Sequence, residues 1–270
     1  MPGIPIAVDL SLLGYFKYGN FGLSTLSALT GAFGHRHEFS RLDVALPVGI
    51  SFYRFHTITC IVDAYRRAIR PTRNLFEFSC YVSLFSQLVA GPIVRFRQIE
   101  PDLEQIDQAS RPRQLQRGWS FFVIGMAKKV LLADSIAMII NPALANYDSL
   151  SASGAWLCIL GYTYQLYFDF SGYSDMAVGL GHMFGLRLPQ NFNSPYRAED
   201  LTDFWRRWHI SLSTVLRDHL YIPLGGGRAS WFRTSVNVMI TMLLGGLWHG
   251  AQWTFVAWGG YHAGLRSSIA

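Results

Sequence analysis

Between Thr234 and Leu265 the chain carries no Asp, Glu, Lys or Arg, and a second uncharged run covers Ser149 to Phe168. About 20 apolar residues are enough to span a bilayer as a helix. Runs of this length therefore restrict the fold to helices sunk in lipid or in a large apolar core. Inside the longer run lies Leu-Leu-Gly-Gly-Leu-Trp-His-Gly-Ala, with His249 near its end. An ionisable side chain in such surroundings is costly unless it meets a cavity or a partner, which makes it a candidate functional group. Its charge changes near neutral pH. The plainer alternative is an imidazole hydrogen-bonded between packed helices.

Composition favours lipid. Half of the residues are hydrophobic, 15% are aromatic and 15% are charged, against roughly 25% charged in a typical soluble domain. Aromatic enrichment marks membrane interfaces. The mean hydropathy of +0.20 is modest, which fits membrane helices around a polar interior. The net charge of +6 is concentrated in clusters: Arg66, Arg67, Arg70 and Arg73, then Arg95 and Arg97, then Arg111, Arg113 and Arg117, with Lys128 and Lys129 following. Basic clusters between apolar segments read as cytoplasmic loops facing anionic lipid. Nucleic-acid binding is set aside, because no motif for it accompanies the charge. Cys60, Cys80 and Cys158 stand alone in apolar segments, so they indicate neither a disulfide framework nor a zinc site. His35 and His37 have no third ligand nearby, and no metal is assigned.

The hydrophobic segments fall at 4–34, 44–64, 75–94, 118–147, 153–184 and 234–265, with a polar basic stretch at 95–117 read as a loop or short surface helix. Gly14 and Lys17 interrupt the first segment. The segment 204–222 interleaves Phe204, Trp205, Trp208, Leu212 and Leu216 with Arg206, Arg207, His209, Arg217, Asp218 and His219. That pattern predicts an amphipathic or re-entrant helix covered by protein. As one helix, 234–265 would be about 48 Å long, so a break is expected near Gly245-Gly246 or Gly259-Gly260. The start lacks the basic region of a signal peptide, and both ends look cut.

Several groups could carry chemistry. The glycines beside His249 let a substrate or a backbone approach closely, and Trp248 supplies an apolar wall. A neutral imidazole there can take the proton of a hydroxyl attacking a carbonyl, help typically worth about 10²–10⁴ in rate. His209 could orient an acceptor or hydrogen-bond a carbonyl oxygen, or it could simply cap a packed helix. Asp169 and Asp175 could neutralise buried arginines, orient a histidine or form structural ion pairs. Six residues is not a same-face helical spacing, so the two are expected to do different jobs. Pro223-Leu-Gly-Gly-Gly-Arg228 could hold an anion on consecutive backbone N–H groups, with a flexible turn as the alternative.

The chain resembles the membrane-bound O-acyltransferase superfamily, and within it the bacterial branch of alginate and peptidoglycan O-acetylation proteins. The likeness is carried by Leu-Gly-Tyr-Phe-Lys-Tyr at 13–18, Pro-Val-Gly-Ile-Ser-Phe-Tyr at 47–53, Gln-Leu-Val-Ala-Gly-Pro-Ile-Val-Arg at 87–95 and Phe-Asp-Phe-Ser-Gly-Tyr-Ser-Asp-Met-Ala at 168–177. It continues through Asn-Phe-Asn-Ser-Pro-Tyr at 191–196, Phe-Trp-Arg-Arg-Trp-His-Ile-Ser-Leu-Ser at 204–213, Arg-Asp-His-Leu-Tyr-Ile-Pro-Leu-Gly-Gly at 217–226 and Gly-Gly-Leu-Trp-His-Gly at 245–250. Val215, His219, Gly227, His56 and Cys60 depart from the usual pattern, and none of these removes a catalytic residue.

The resemblance implies an all-α, polytopic membrane bundle around a central tunnel, here a single incomplete domain over 1–270 truncated at both ends. It implies His249 as the catalytic histidine and His209 as its companion. Asp169, Asp175, Arg206 and Arg217 are the expected positioning and polarising residues. The expected reaction moves acetyl from acetyl-CoA or another thioester, with no permanently bound cofactor, to hydroxyls of an exported polysaccharide such as alginate. Transfer would be direct or through a periplasmic acetyltransferase partner, in the bacterial inner membrane and in contact with lipid. Two readings from other classes remain: a non-catalytic acetyl conduit or scaffold, and a transporter, although the repeat symmetry common in transporters is missing.

Overall fold

In the computed structural model the described residues are 2–35, 39–70, 72, 74–88, 91–105, 111–228 and 230–267. His37, Arg73, and Val89 and Ala90 of the 87–95 motif lie outside them. The fold is all-α, and the described residues include no strand. The helices are α1 Gly3–Leu13, α2 Gly19–Ala32, α3 Ile50–Tyr65, α4 Leu75–Ser83, α5 Phe85–Leu88, α6 Phe96–Glu104, α7 Arg111–Ala127, α8 Asp134–Ala145, α9 Ala152–Met183, α10 Leu201–Arg207, α11 Ile210–Leu216, α12 Trp231–His249 and α13 Trp253–Ser267. Three π-helical segments are inserted, at Gly14–Tyr18, Lys128–Ala133 and Arg217–Tyr221. The interruption expected at Gly14 and Lys17 is thus a change of helical pitch, a feature frequent at functional sites.

The chain forms two compact units that interleave in sequence: Met1–Val82, Tyr196–Arg206 and Leu212–Ala270 in the first, Ser83–Pro195 and Arg207–Ser211 in the second. In the first unit α1 packs on α3, and α12 and α13 form a helical hairpin. The expected break in 234–265 falls at Gly250, immediately after His249, and not at Gly245-Gly246 or Gly259-Gly260. Gly250 is extended (φ −162°, ψ 146°). The other glycines stay helical because they are contact points: a Cβ on Gly246 would strike the Phe255 carbonyl, and one on Gly259 the Met242 carbonyl.

In the second unit α7, the π segment and α8 run on into one another and pack along α9. At 32 residues α9 is about 48 Å long. Its contact with α7 is set by two reciprocal glycine pairs. A Cβ on Gly118 would lie 2.7 Å from the Gly179 carbonyl, and one on Gly179 2.7 Å from that of Gly118. Gly125 and Gly172 repeat the arrangement at 2.5 and 2.7 Å. Small residues at such crossings let backbones approach closely, as in membrane helix pairs.

Alongside an apolar core, each unit buries polar groups and leaves large apolar side chains outside. In the first unit Asp9, His56, Thr59, Asp63 and Asn237 are buried while Ile4, Val8, Leu29 and Tyr261 are exposed. In the second, Gln87, Arg95, Asp102, Ser171 and Asn191 are buried, while Met138, Ile139, Trp156 and Leu157 are 66–75% exposed. Buried acids are paired: Asp9 with Arg54, Asp102 with Arg187, and Asp63 with His219 at 3.0 Å. Asp102 also accepts the Arg187 backbone N–H at 2.8 Å. Its hydrogen bonds first, and its charge second, hold the Arg187 guanidinium above its ordinary pKa. Among the described residues no helix is long and apolar enough to cross a membrane. Asp169 and Asp175 lower the hydropathy of α9, and Thr234, Asn237, Thr241 and His249 lower that of α12.

Replacing Gly125 by Leu should force α7 from α9, because its Cβ already meets the backbone of Gly172 and Met176. Overpacking of this kind typically costs about 1–3 kcal/mol or more. Gly22→Leu, at a position with open space around it, should leave the protein near wild type. Thermal unfolding in detergent compares the two.

Candidate active site

His249 is the last residue of α12 and is solvent-accessible where the chain turns toward α13. Aromatic rings surround it. Trp248 lies edge-on with centroids 5.1 Å apart, Trp258 edge-on at 5.3 Å, and Phe255 parallel at 6.4 Å. Trp258 continues to His262 at 4.6 Å and to Trp205 at 5.8 Å. Within this wall the Trp205 Nε1 and His262 Nδ1 atoms are shielded from solvent and have no protein partner among the described residues. The residue is thus solvent-accessible at the edge of an aromatic neighbourhood that also holds shielded polar atoms.

The last turn of α12 is held from outside. A helix ends with carbonyls that no intrahelical N–H can reach. Here Tyr18 Oη donates to the Leu247 carbonyl at 2.8 Å, and Lys17 Nζ donates to the Trp248 carbonyl. Lys17 Nζ also donates to Ser51 Oγ at 2.8 Å. Trp248 itself packs edge-on against Phe52 and Phe55 at 5.3 and 5.8 Å.

His209 belongs to the second unit and is 1% exposed. It occupies the break between α10 and α11 with φ +42°, a left-handed conformation uncommon for a residue with a side chain. Strain of this kind persists only where neighbours enforce it. They do so here: the Ile210 N–H donates to the Asn191 carbonyl at 2.9 Å, the Ser211 N–H to Asn191 Oδ1 at 3.2 Å, and the Asn193 N–H to the Arg207 carbonyl at 3.0 Å. Ser211 Oγ in turn accepts the Ile93 N–H at 2.9 Å. Phe170 of α9 packs edge-on to the His209 ring at 4.8 Å. The single amphipathic helix expected over 204–222 is thus two short helices and a π segment, split at His209.

The other expected site residues go elsewhere. Asp175 pairs with Lys128 at 2.5 Å, and Asp169 with Lys129 at 2.7 Å, which also holds Asp134 at 2.6 Å. Of the alternatives open for these acids, structural ion pairs are what the structure forms, and the partners are the two lysines of a π segment. Arg206 is exposed. Arg217 is exposed too and pairs with its neighbour Asp218 at 2.7 Å. The glycine-rich 222–228 stretch is a turn, with Gly225 and Gly226 at positive φ and the Gly226 carbonyl accepting from buried Asn237 at 3.1 Å. Lys17, Tyr18, Asn191 and His262 had no place among the expected site residues. For Lys17 and His262 the signal was present, a basic group inside an apolar segment.

The profile of the MBOAT, membrane-bound O-acyltransferase family matches residues 46–266. The chain belongs to that family. It is 50% identical over 258 residues to a probable alginate O-acetylase of Azotobacter vinelandii, covering 95% of this chain and 51% of the relative. It is 38% identical over 289 residues to the peptidoglycan O-acetyltransferase of Helicobacter pylori, covering 98% and 54%. A teichoic acid D-alanyltransferase of Bacillus subtilis matches at 29% over 82% of this chain and 58% of its own length. The chain thus spans about half the length of the curated relatives it matches.

Asn191→Ala should remove the acceptor of the Ser211 N–H and leave a buried donor unpaired, a change costing about 1–3 kcal/mol. The expected result is a lowered unfolding temperature, read by differential scanning fluorimetry in detergent.

Proposed function

We propose that this chain is the histidine-bearing part of a polytopic membrane O-acyltransferase of the bacterial inner membrane. It moves acetyl groups from a cytoplasmic thioester, acetyl-CoA in the simplest case, to hydroxyls of an exported polysaccharide or of a periplasmic partner that modifies one. The observation that carries this reading is the placement of His249: accessible, ringed by tryptophan and phenylalanine, and fixed at a helix end in a chain that also leaves many large apolar side chains exposed. The relatives named for alginate and peptidoglycan O-acetylation support the polysaccharide class. The outward apolar side chains of α8 and α9 support lipid contact.

In the reaction the acceptor hydroxyl attacks the thioester carbonyl as its proton passes to the His249 imidazole. The new C–O bond gives a tetrahedral intermediate. Its collapse breaks the C–S bond, and the leaving thiolate takes the proton back from the imidazolium. The products are the ester and free thiol, and the histidine returns unchanged. The aromatic wall keeps water, the competing nucleophile, from the thioester. His209, in its enforced backbone conformation, is the proposed companion residue of the reaction. Asp169 and Asp175 act at one remove, pinning the lysines of the α7–α8 junction against α9.

His249→Ala in the intact protein should lower O-acetyl content of the surface polymer by about 10²–10⁴-fold in rate, the usual worth of a general base, with normal protein levels. Retention of most acetylation by this variant would instead assign the chain a conduit or scaffold role.

A further inference from the structure

The hydrogen bonds at the end of α12 single out two residues outside both histidine motifs. Lys17 and Tyr18 sit in the π segment Gly14–Tyr18, more than 200 residues before the carbonyls they reach. Those carbonyls, of Leu247 and Trp248, immediately precede His249. The Gly250 N–H bonds the Gly246 carbonyl at 3.3 Å and closes the last intrahelical ring. Past that point α12 has no N–H of its own to offer, because Gly250 is extended. A cation and a hydroxyl take over, which also suits the negative end of the helix dipole.

The geometry is more than a cap. Lys17 Nζ bridges Trp248 O to Ser51 Oγ, so it ties the last turn of α12 to the first turn of α3. Its ammonium also lies 5.9 Å from the centre of the Trp248 ring. That ring is gripped by Phe52 and Phe55 of α3. On the opposite side, Gly246 and Gly250 are pressed against Phe255. The backbone carrying His249 is thus fixed by α3 and the π segment on one side and by α13 on the other. A five-residue π segment brings two adjacent side chains, 17 and 18, onto two adjacent carbonyls.

We propose that Lys17 and Tyr18 are positioning residues for the acyl-transfer step, holding the terminal turn of α12 so that the His249 imidazole meets the acceptor hydroxyl. This rests on His249 being the base of the proposed reaction. The two residues touch no reacting atom. Their removal should lower turnover and leave donor binding intact.

The test compares Lys17→Met, Lys17→Arg, Tyr18→Phe and His249→Ala in the intact protein in membrane vesicles. Acetyl-CoA is the donor and a polymannuronate oligosaccharide the acceptor, with rates expressed per folded molecule. Lys17→Met should reduce kcat at least 10-fold with the KM for acetyl-CoA changed less than 2-fold. Lys17→Arg should restore at least half of the lost rate, since it keeps both the charge and a donor. Tyr18→Phe should reduce kcat about 3-fold, on the scale of one lost hydrogen bond. If Lys17→Met does not accumulate, Tyr18→Phe decides. Wild-type kcat per folded molecule in Lys17→Met and Tyr18→Phe, with His249→Ala inactive, overturns the clamp and leaves the proposed function standing. Turnover retained by His249→Ala overturns both.

Discussion

The last carbonyls of a helix have no N–H of their own to meet, and α12 ends at His249, where the proposed chemistry is placed. Gly250 leaves the helix in an extended conformation, and the stranded carbonyls of Leu247 and Trp248 are taken by Tyr18 and Lys17. Much of the first unit follows from that arrangement. The π segment places the two donors, and α3 contributes Ser51 and the two phenylalanines. The glycines of α12 and α13 allow the hairpin to close tightly enough for Phe255 and Trp258 to wall His249.

The same economy governs the second unit. Several of its polar groups answer one another: Asp102 with Arg187, Asp169 and Asp175 with the lysines of the α7–α8 junction, Ser211 with Asn191 and Ile93. Its apolar side chains face outward on α8 and α9. Such internal pairing suits the membrane setting expected of the family, because lipid supplies neither donors nor acceptors. The left-handed backbone at His209 is a local cost, maintained by loop 191–193, and it turns one imidazole into the interior where a continuous helix would sweep past.

The all-α character was legible in the sequence, and the two histidines stood out in it as candidates, because each leaves a local mark. Uncharged runs of bilayer length point to helices, and a histidine within one is conspicuous. The motif blocks carried the family, which the profile over 46–266 bears out. What stayed hidden depends on pairings between distant segments. Asp169 and Asp175 looked available to arginines or histidines, yet their partners are lysines brought alongside by the glycine-spaced contact of α7 with α9. Arg206 shares a motif with His209 and Arg217 lies in the next one, but Arg206 is exposed and Arg217 pairs with Asp218. The break in 234–265 was expected at paired glycines; these are packing surfaces, and the lone Gly250 ends the helix. Lys17 read as an interruption of an apolar helix, since its acceptors lie at the far end of the chain.

The central claim is that position 249 lines a passage open to water-borne substrates within a membrane protein. The most direct measurement is thiol labelling of His249→Cys in the intact protein, in membranes, with Cys60, Cys80 and Cys158 replaced. Fast reaction with a charged, membrane-impermeant methanethiosulfonate, slowed by acetyl-CoA, is the expected result. Reaction with lipid-soluble maleimide alone, indifferent to acetyl-CoA, would contradict it by placing residue 249 in contact with lipid.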